Sequence, residues 1–286
     1  VHAHVALPDG FAAMMLKEEY DKPMVITIHG QDLQVTLYKN PRCKRALIKV
    51  FERADKVIVV STKLKRIAQA ELGYAEKIVV INNGIDPEKL SVENYLSFSN
   101  TDYRTILSVS NLVASKGIDL NLIAVSKLIE KHPNLKYIVI GDGSEMKRLI
   151  RLASNLGLTN HVKFLGRQPH NIVMTYMVAT DIFSLPSWQE GFGVVYLEAM
   201  AHGKPIIACQ GEGIGDVVTD GETGLLVKPQ DVDSLVEALD FLLSYPDEAK
   251  AMGERARKLV LENYTWEKNA EKTVEIYSKV LKGWGT

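Results

Sequence analysis

The sequence predicts an α/β fold built from two Rossmann-like units that face each other across a cleft. Three observations carry that prediction. Strand-like and helix-like segments alternate along nearly the whole chain. The strand-like runs, such as Val-Ile-Val-Val at 57–60, are apolar without alternation, as in parallel strands covered on both faces. One polar stretch, 86–104, with Ser91, Asn94, Ser97, Ser99 and Asn100, divides the series in two and reads as the linker. With 286 residues, 46% of them apolar, the chain can fill two ordinary cores.

Taken in order, residues 1–5 read as a short strand with His2 and His4 interleaved, 10–20 as a helix, and 23–30 as a strand ending in a polar turn at His29 and Gly30. Residues 55–61 give the next strand, 63–72 a helix stopped by Gly73, and 77–84 a strand that turns at Asn83 and Gly84. Past the linker, strands 105–109, 135–140, 162–165 and 181–185 alternate with helices 120–131, 145–156 and 171–178. Then come helix 194–202, a strand ending at Cys209, strand 225–227, amphipathic helices 234–244 and 247–263, and a last helix 265–281 whose Val274, Tyr277 and Leu281 share a face. The expected division is 1–99 joined by the C-terminal helix 264–286, and 100–263. The first unit is short and Val1 falls inside a strand pattern, so the expectation is a fragment whose N-terminal domain is incomplete.

Composition excludes several classes. A formal net charge of −1 gives no global field for nucleic acid. Cys43 and Cys209, the two cysteines, make neither a zinc spacing nor a disulfide framework. No apolar run suits a membrane span and the start lacks a signal-peptide pattern, so a cytoplasmic protein is expected. In 41–56, Arg45, Lys49 and Arg53 fall on one helical face and Leu47, Val50, Phe51 and Ala54 on another. A helix packed on its own domain explains that pattern better than peripheral contact at the inner face of a membrane. Asp231 and Asp233 precede a helix, where capping explains them better than metal binding. No metal and no cofactor are expected.

The stretch 181–209 concentrates the chemistry. An apolar strand runs into Pro186-Ser187-Trp188-Gln189, and the loop lies at a strand's carboxyl end, where open parallel sheets bind ligands. Gly191 and Gly193 then precede a helix, so backbone N–H groups and the positive end of the helix dipole meet solvent and suit an anion. Glu190 and Glu198, with seven residues between them, flank that helix start, and carboxylates accept hydrogen bonds from sugar hydroxyls. The bland alternative is that glutamates favour helix starts and glycines turn chains.

The run from Glu190 through Gly191, Phe192, Gly193 and Glu198 to Ala208 resembles the signature of the retaining GT-B glycosyltransferases of family 4, the group 1 transferases. Ordered motifs extend the resemblance from Val1 to about Leu281. Thr27-Ile28-His29-Gly30-Gln31-Asp32 is similar to the family's Thr-x-His-Gly-x-Asp, which implies that His29 faces the donor sugar near its anomeric carbon. Asn83-Gly84-Ile85-Asp86 matches a turn at the end of the family's N-terminal domain. Ser108 to Gly117 resembles the loop that holds the donor diphosphate; Lys116 fits, whereas Asn111 stands where the family usually has Arg, so half of the basic clamp is missing. Gly141-Asp142-Gly143 and Gly166-Arg167 resemble loops on the nucleotide side. By that resemblance Glu190 holds donor-sugar hydroxyls and Glu198 the ribose hydroxyls. The implied activity is hexosyl transfer, with retention and without metal, from a nucleotide diphosphate sugar to a glycan or lipid-linked acceptor, as in polysaccharide biosynthesis. From another class, an inactive nucleotide-sugar-binding module is the alternative.

Overall fold

The computed structural model describes residues 1–90 and 103–284. Its internal contacts divide the chain into two units, Val1–Gly84 with Glu190–Gly193 and Tyr264–Thr286, and Ile85–Gln189 with Val194–Asn263. Most of the predicted linker, residues 91–102, lies outside the described part.

The first unit opens with β1 (His2–His4), α1 (Phe11–Tyr20) and β2 (Val25–Ile28). There follow α2 (Leu37–Lys39), α3 (Pro41–Arg53), β3 (Lys56–Val59), α4 (Thr62–Leu72) and β4 (Ile78–Val80). The strands form one parallel sheet in the order β1-β2-β3-β4. All of β2 is buried, which is why its Val-Ile-Thr-Ile run shows no alternation. Helix α3 starts where Asn40 accepts the Cys43 N–H at 2.9 Å and Pro41 takes the first turn. Its Leu47, Val50 and Phe51 are fully buried, so its apolar face is spent inside the unit and the packed-helix reading holds.

Two local expectations need correction. Instead of a simple polar turn after His29, residues Asp32–Thr36 are helical and run into α2. Here Asp32 is buried, and its carboxylate accepts the N–H groups of Ala6 and Leu7 at 3.1 and 3.3 Å, which ties this segment to the turn that follows β1. Burial raises its pKa, and those two hydrogen bonds partly offset the rise.

The second unit comprises β5 (Arg104–Val109), α5 (Ile118–Leu128), β6 (Leu135–Ile140), α6 (Met146–Asn155), β7 (Val162–Phe164) and α7 (His170–Ala179). It continues through β8 (Ile182–Ser184), α8 (Val194–Ala201), β9 (Ile206–Cys209), β10 (Leu225–Val227), α9 (Val232–Ser244) and α10 (Pro246–Asn263). The sheet is all parallel, ordered β10-β9-β8-β5-β6-β7, so the winding reverses between β5 and β8. That reversal is the topological switch point, whose carboxyl-end crevice is the binding position of doubly wound sheets. Helix α9 begins at Asp231, whose side chain accepts the Ser234 N–H at 3.0 Å, the capping role expected for this aspartate.

A fully buried polar cluster fastens the switch point. Asn121 of α5 donates to Ser108 Oγ at 3.1 Å, Tyr137 Oη at 3.2 Å and the Ser184 carbonyl at 3.1 Å, and accepts from Ser184 Oγ at 2.7 Å. One amide therefore joins β5, β6, β8 and α5. The Tyr137 hydroxyl is driven far above its ordinary pKa by burial, so it stays protonated.

The chain ends in α11 (Trp266–Trp284), which packs on the first unit. Thr265 Oγ1 accepts the Lys268 N–H at 3.3 Å and starts it. Gly84 passes so close that a Cβ there would lie 2.3 Å from the Thr265 carbonyl carbon. The second correction concerns this helix's packing face. Ile276, Tyr277 and Val280 meet Val25, Ile58 and Ile81 of the sheet, while Val274 and Leu281 are 55% and 61% exposed. The sequence offers two overlapping stripes at helical spacing, and the sheet takes the one containing Ile276.

Replacing Asn121 by Ala takes the acceptor from the buried Ser184 hydroxyl and removes the bonds that the amide donates to Ser108, Tyr137 and the Ser184 carbonyl, which keep only the bonds they make among themselves. Urea unfolding should show a loss of about 2–4 kcal/mol in the second unit. An unchanged midpoint would deny the cluster any part in stability.

Candidate functional site

In the second unit the loops after β5, β6, β7 and β8 are tied together by their backbones. Leu112 N–H donates to the Asp142 carbonyl at 2.9 Å, Gly141 N–H to Gly166 at 2.9 Å, and Trp188 N–H to Ser115 at 3.0 Å. This density requires glycine. Gly141, at φ 137°, would place a Cβ 1.8 Å from the Ser110 carbonyl oxygen, and Gly117, at φ 68°, would place one 2.4 Å from that of Pro186. The hydroxyls of Ser110 and Ser187 are buried in this crevice rim without a partner among the described residues. Native proteins leave few such groups without a reason, and a polar ligand is one.

These loops carry Asn111 and Arg167, both exposed, and the half-buried Lys116 and Gly141. Lys116 ends a helical turn, Ala114–Lys116, that begins where β5 has run out. Glu198 lies within α8 with a 17% exposed side chain, and its Oε1 meets His170 Nε2 at 2.9 Å. His170 was not foreseen. It is the first residue of α7, and only the folded chain brings it to Glu198.

Glu190–Gly193 group with the first unit. There Gly191 lies against His29, since a Cβ on Gly191 would be 2.5 Å from the His29 carbonyl oxygen. Lys63 Nζ donates to the Glu190 carbonyl at 3.5 Å. Phe192 is buried, and Gly193 takes φ 86° just before α8, a conformation that favours glycine. His29 follows β2 and stacks on His4 with ring centroids 5.2 Å apart, and its Nε2 lies 2.9 Å from His4 Nδ1. His29 keeps a solvent-facing edge, but desolvation first, and then repulsion from His4, lower its pKa. Its neutral form is favoured, so one ring nitrogen can accept a proton.

His2 extends the stack. Its Nδ1 meets Tyr277 Oη at 2.5 Å and its Nε2 meets Thr27 Oγ1 at 2.8 Å. Desolvation, with His4 the next cause, lowers its pKa to about 4. These side chains line a cavity of about 250 Å³ within the first unit, walled also by Trp266 and Asn269 of α11. Among the described residues no group of three or more His, Cys, Asp or Glu is placed to hold a metal ion. No described helix is long and apolar enough to cross a membrane.

A doubly wound parallel unit with a glycine-tied crevice at its switch point, in a chain that carries a second parallel unit, has the architecture of the GT-B fold. Residues 97–259 match Glycosyl transferases group 1 and residues 1–89 match Glycosyltransferase Family 4, and the chain belongs to the group 1 glycosyl transferases. It is 28% identical, over 89% of its length and 70% of the relative's, to the GDP-mannose-dependent alpha-(1-6)-phosphatidylinositol monomannoside mannosyltransferase of Mycolicibacterium smegmatis. Sucrose-phosphate synthase from Thermosynechococcus elongatus superposes with a TM-score of 0.87 at 25% identity, over 99% of this chain and 73% of that one. The Anabaena HepE protein, solved in complex with UDP-glucose, gives 0.83 at 23% identity over 94% and 76%, a likeness of fold.

The folded pKa of His2 lies below its ordinary value of 6.5, so the stability it contributes is full above pH 6.5 and is lost as pH falls toward 4. His2→Gln should flatten part of that acid limb in urea midpoints measured from pH 7 to pH 4. A limb of unaltered slope removes His2 from the titrating groups.

Proposed function

We propose that this chain transfers a hexosyl group from a nucleotide diphosphate sugar to a hydroxyl of a glycan or lipid-linked acceptor, with retention at the anomeric carbon. The observation that carries this reading is the crevice rim at the switch point, where Lys116 and two unsatisfied hydroxyls sit in loops whose glycines let their backbones pack against one another. The GDP-mannose and UDP-glucose named for the two similar proteins support a diphosphate donor and leave the base open.

In the proposed reaction the bond from the anomeric carbon to the phosphate oxygen breaks, and the nucleoside diphosphate leaves with the electron pair. The acceptor oxygen bonds to the same face, and its proton goes to the departing phosphate. Such a route depends mostly on positioning and on leaving-group electrostatics. Lys116 neutralises the leaving charge, aided by the N–H groups at Gly191–Gly193 and the start of α8. Asn111 adds a neutral amide where a guanidinium would add charge. Gly141 and Arg167 belong to the nucleoside side. Glu198, oriented by His170, holds the ribose hydroxyls, Glu190 holds the sugar hydroxyls with Phe192 beneath that loop, and His29 faces the anomeric carbon. No metal or cofactor takes part in this scheme.

Incubation with UDP-glucose or GDP-mannose and proton NMR of the product's anomeric coupling tests the stereochemistry; an inverted product would exclude the retaining route. Lys116→Ala should weaken nucleoside diphosphate binding by about 1.5–3 kcal/mol in calorimetric titration. Glu198→Ala should also weaken nucleotide binding, whereas Glu190→Ala should lower turnover and leave nucleotide affinity near the parent value. Equal losses of affinity in the two glutamate variants would contradict the roles assigned.

A further inference from the structure

The second unit holds a cavity of about 560 Å³ that none of the proposed chemistry uses. It opens at the amino-terminal ends of the strands, bordered by Arg104 at the start of β5, Ile182 at the start of β8 and Pro205 just before β9. The donor-type loops lie at the opposite, carboxyl ends of the same sheet. One wall is α10, which comes close because Gly253 has no side chain: a Cβ there would sit 2.0 Å from the Gly203 carbonyl oxygen.

Lysine, arginine and histidine side chains gather in one part of the lining. Lys204 Nζ donates to the Val178 carbonyl at 2.7 Å, and burial lowers its pKa. His202 leads into this corner from the end of α8, with Nε2 buried and unpartnered among the described residues. Burial first, and then the charges of Lys204, Arg257 and His170, hold its pKa at about 4, and no carboxylate figures among the groups acting on it. Asp181, also in the lining, acts on Lys204 from a distance and partly offsets the effect of burial, while its own oxygens accept from the Thr105 N–H and hydroxyl at 2.7 and 2.8 Å and pair with Arg104 at 3.2 Å. The remaining charges, Asp247, Lys250 and Glu254, come from α10, and Leu242 and Leu243 of α9 give an apolar floor. A corner where a lysine, an arginine and an unsatisfied imidazole converge is relieved by an anion, and its carboxylate rim suits hydroxyls.

We propose that this cavity is a second ligand site that takes a small hydroxylated phosphomonoester, its phosphate against His202, Lys204 and Arg257 and its hydroxyls against Asp247 and Glu254. The volume falls within the ordinary range for small-molecule sites. The site stands independently of the transferase reading, since none of its residues is assigned to the donor.

The test is a proton NMR titration of the full chain that follows the His202 ring signal, assigned by its loss in His202→Asn. Probes are glycerol 3-phosphate, inorganic phosphate and glycerol. The expected result is a saturable shift with glycerol 3-phosphate, weaker binding of inorganic phosphate, and no shift with glycerol. Arg257 is exposed and its replacement leaves the core intact; Arg257→Gln should weaken binding of glycerol 3-phosphate about tenfold. Lys116→Ala should leave it unchanged. A silent His202 signal, equal affinity in Arg257→Gln, or loss of binding in Lys116→Ala would overturn the site. Inorganic phosphate binding as tightly as the ester would overturn the assignment of its hydroxyl contacts.

Discussion

The second unit depends on one side chain, the amide of Asn121. A parallel sheet whose winding reverses must leave a gap in helix cover at the reversal, and the strands beside the gap have no crossover between them to hold their ends level. Here that place is β5 against β8, which share only the Ile106–Ile182 and Leu107–Phe183 pairs. Asn121 supplies the missing connection by bonding to residues on β5, β6 and β8 from a helix packed on them. Tyr196 of α8 adds a further bond, from its hydroxyl to the Leu185 carbonyl at 2.5 Å. Because the tie is fully hydrogen-bonded, its burial costs little, and it fixes the register from which the crevice loops spring.

Much of this was legible in the sequence, and for identifiable reasons. Strands such as 57–60 and the one ending at Cys209 declare themselves because burial on both faces leaves few polar positions. The glycines at 117, 141, 191 and 193 mark turns by residue type alone. What they do could not be read, because the close approaches of Gly141 to Ser110 and of Gly191 to His29 join segments distant in sequence. The same holds for His170 beside Glu198 and for Asp32 beside Ala6 and Leu7. Helix α5 was expected at 120–131 and lies at Ile118–Leu128. Gly117, left-handed, releases the chain into the helix two residues early, and Leu135 N–H turns back to the His132 carbonyl at 3.0 Å, closing the far end.

The substitution at Asn111 has a structural setting. The loop that contains it is fixed by its neighbours: Leu112 donates to Asp142, Val113 N–H bonds back to the Asn111 carbonyl at 3.0 Å, and Lys116 N–H to that of Val113 at 3.1 Å. No side chain at 111 is needed to shape the loop. In the proposed donor site, a neutral amide at 111 would leave the diphosphate charge to Lys116 and the dipole of α8.

Helix α8 links the two ends of the second unit. It is eight residues long, and Tyr196, Leu197, Ala199, Met200 and Ala201 are buried, so it has little freedom to move without disturbing the core. Midway along it stands Glu198, and directly beyond its end stands His202, whose backbone N–H donates to the Glu198 carbonyl at 3.2 Å. The carboxylate assigned to the ribose and the imidazole of the rear cavity are therefore one helical turn apart on a single packed element. The Tyr196 hydroxyl, bonded to the Leu185 carbonyl just past β8, holds this helix against the sheet. The buried contacts of α8 thus fix the positions of Glu198 and His202 relative to the sheet.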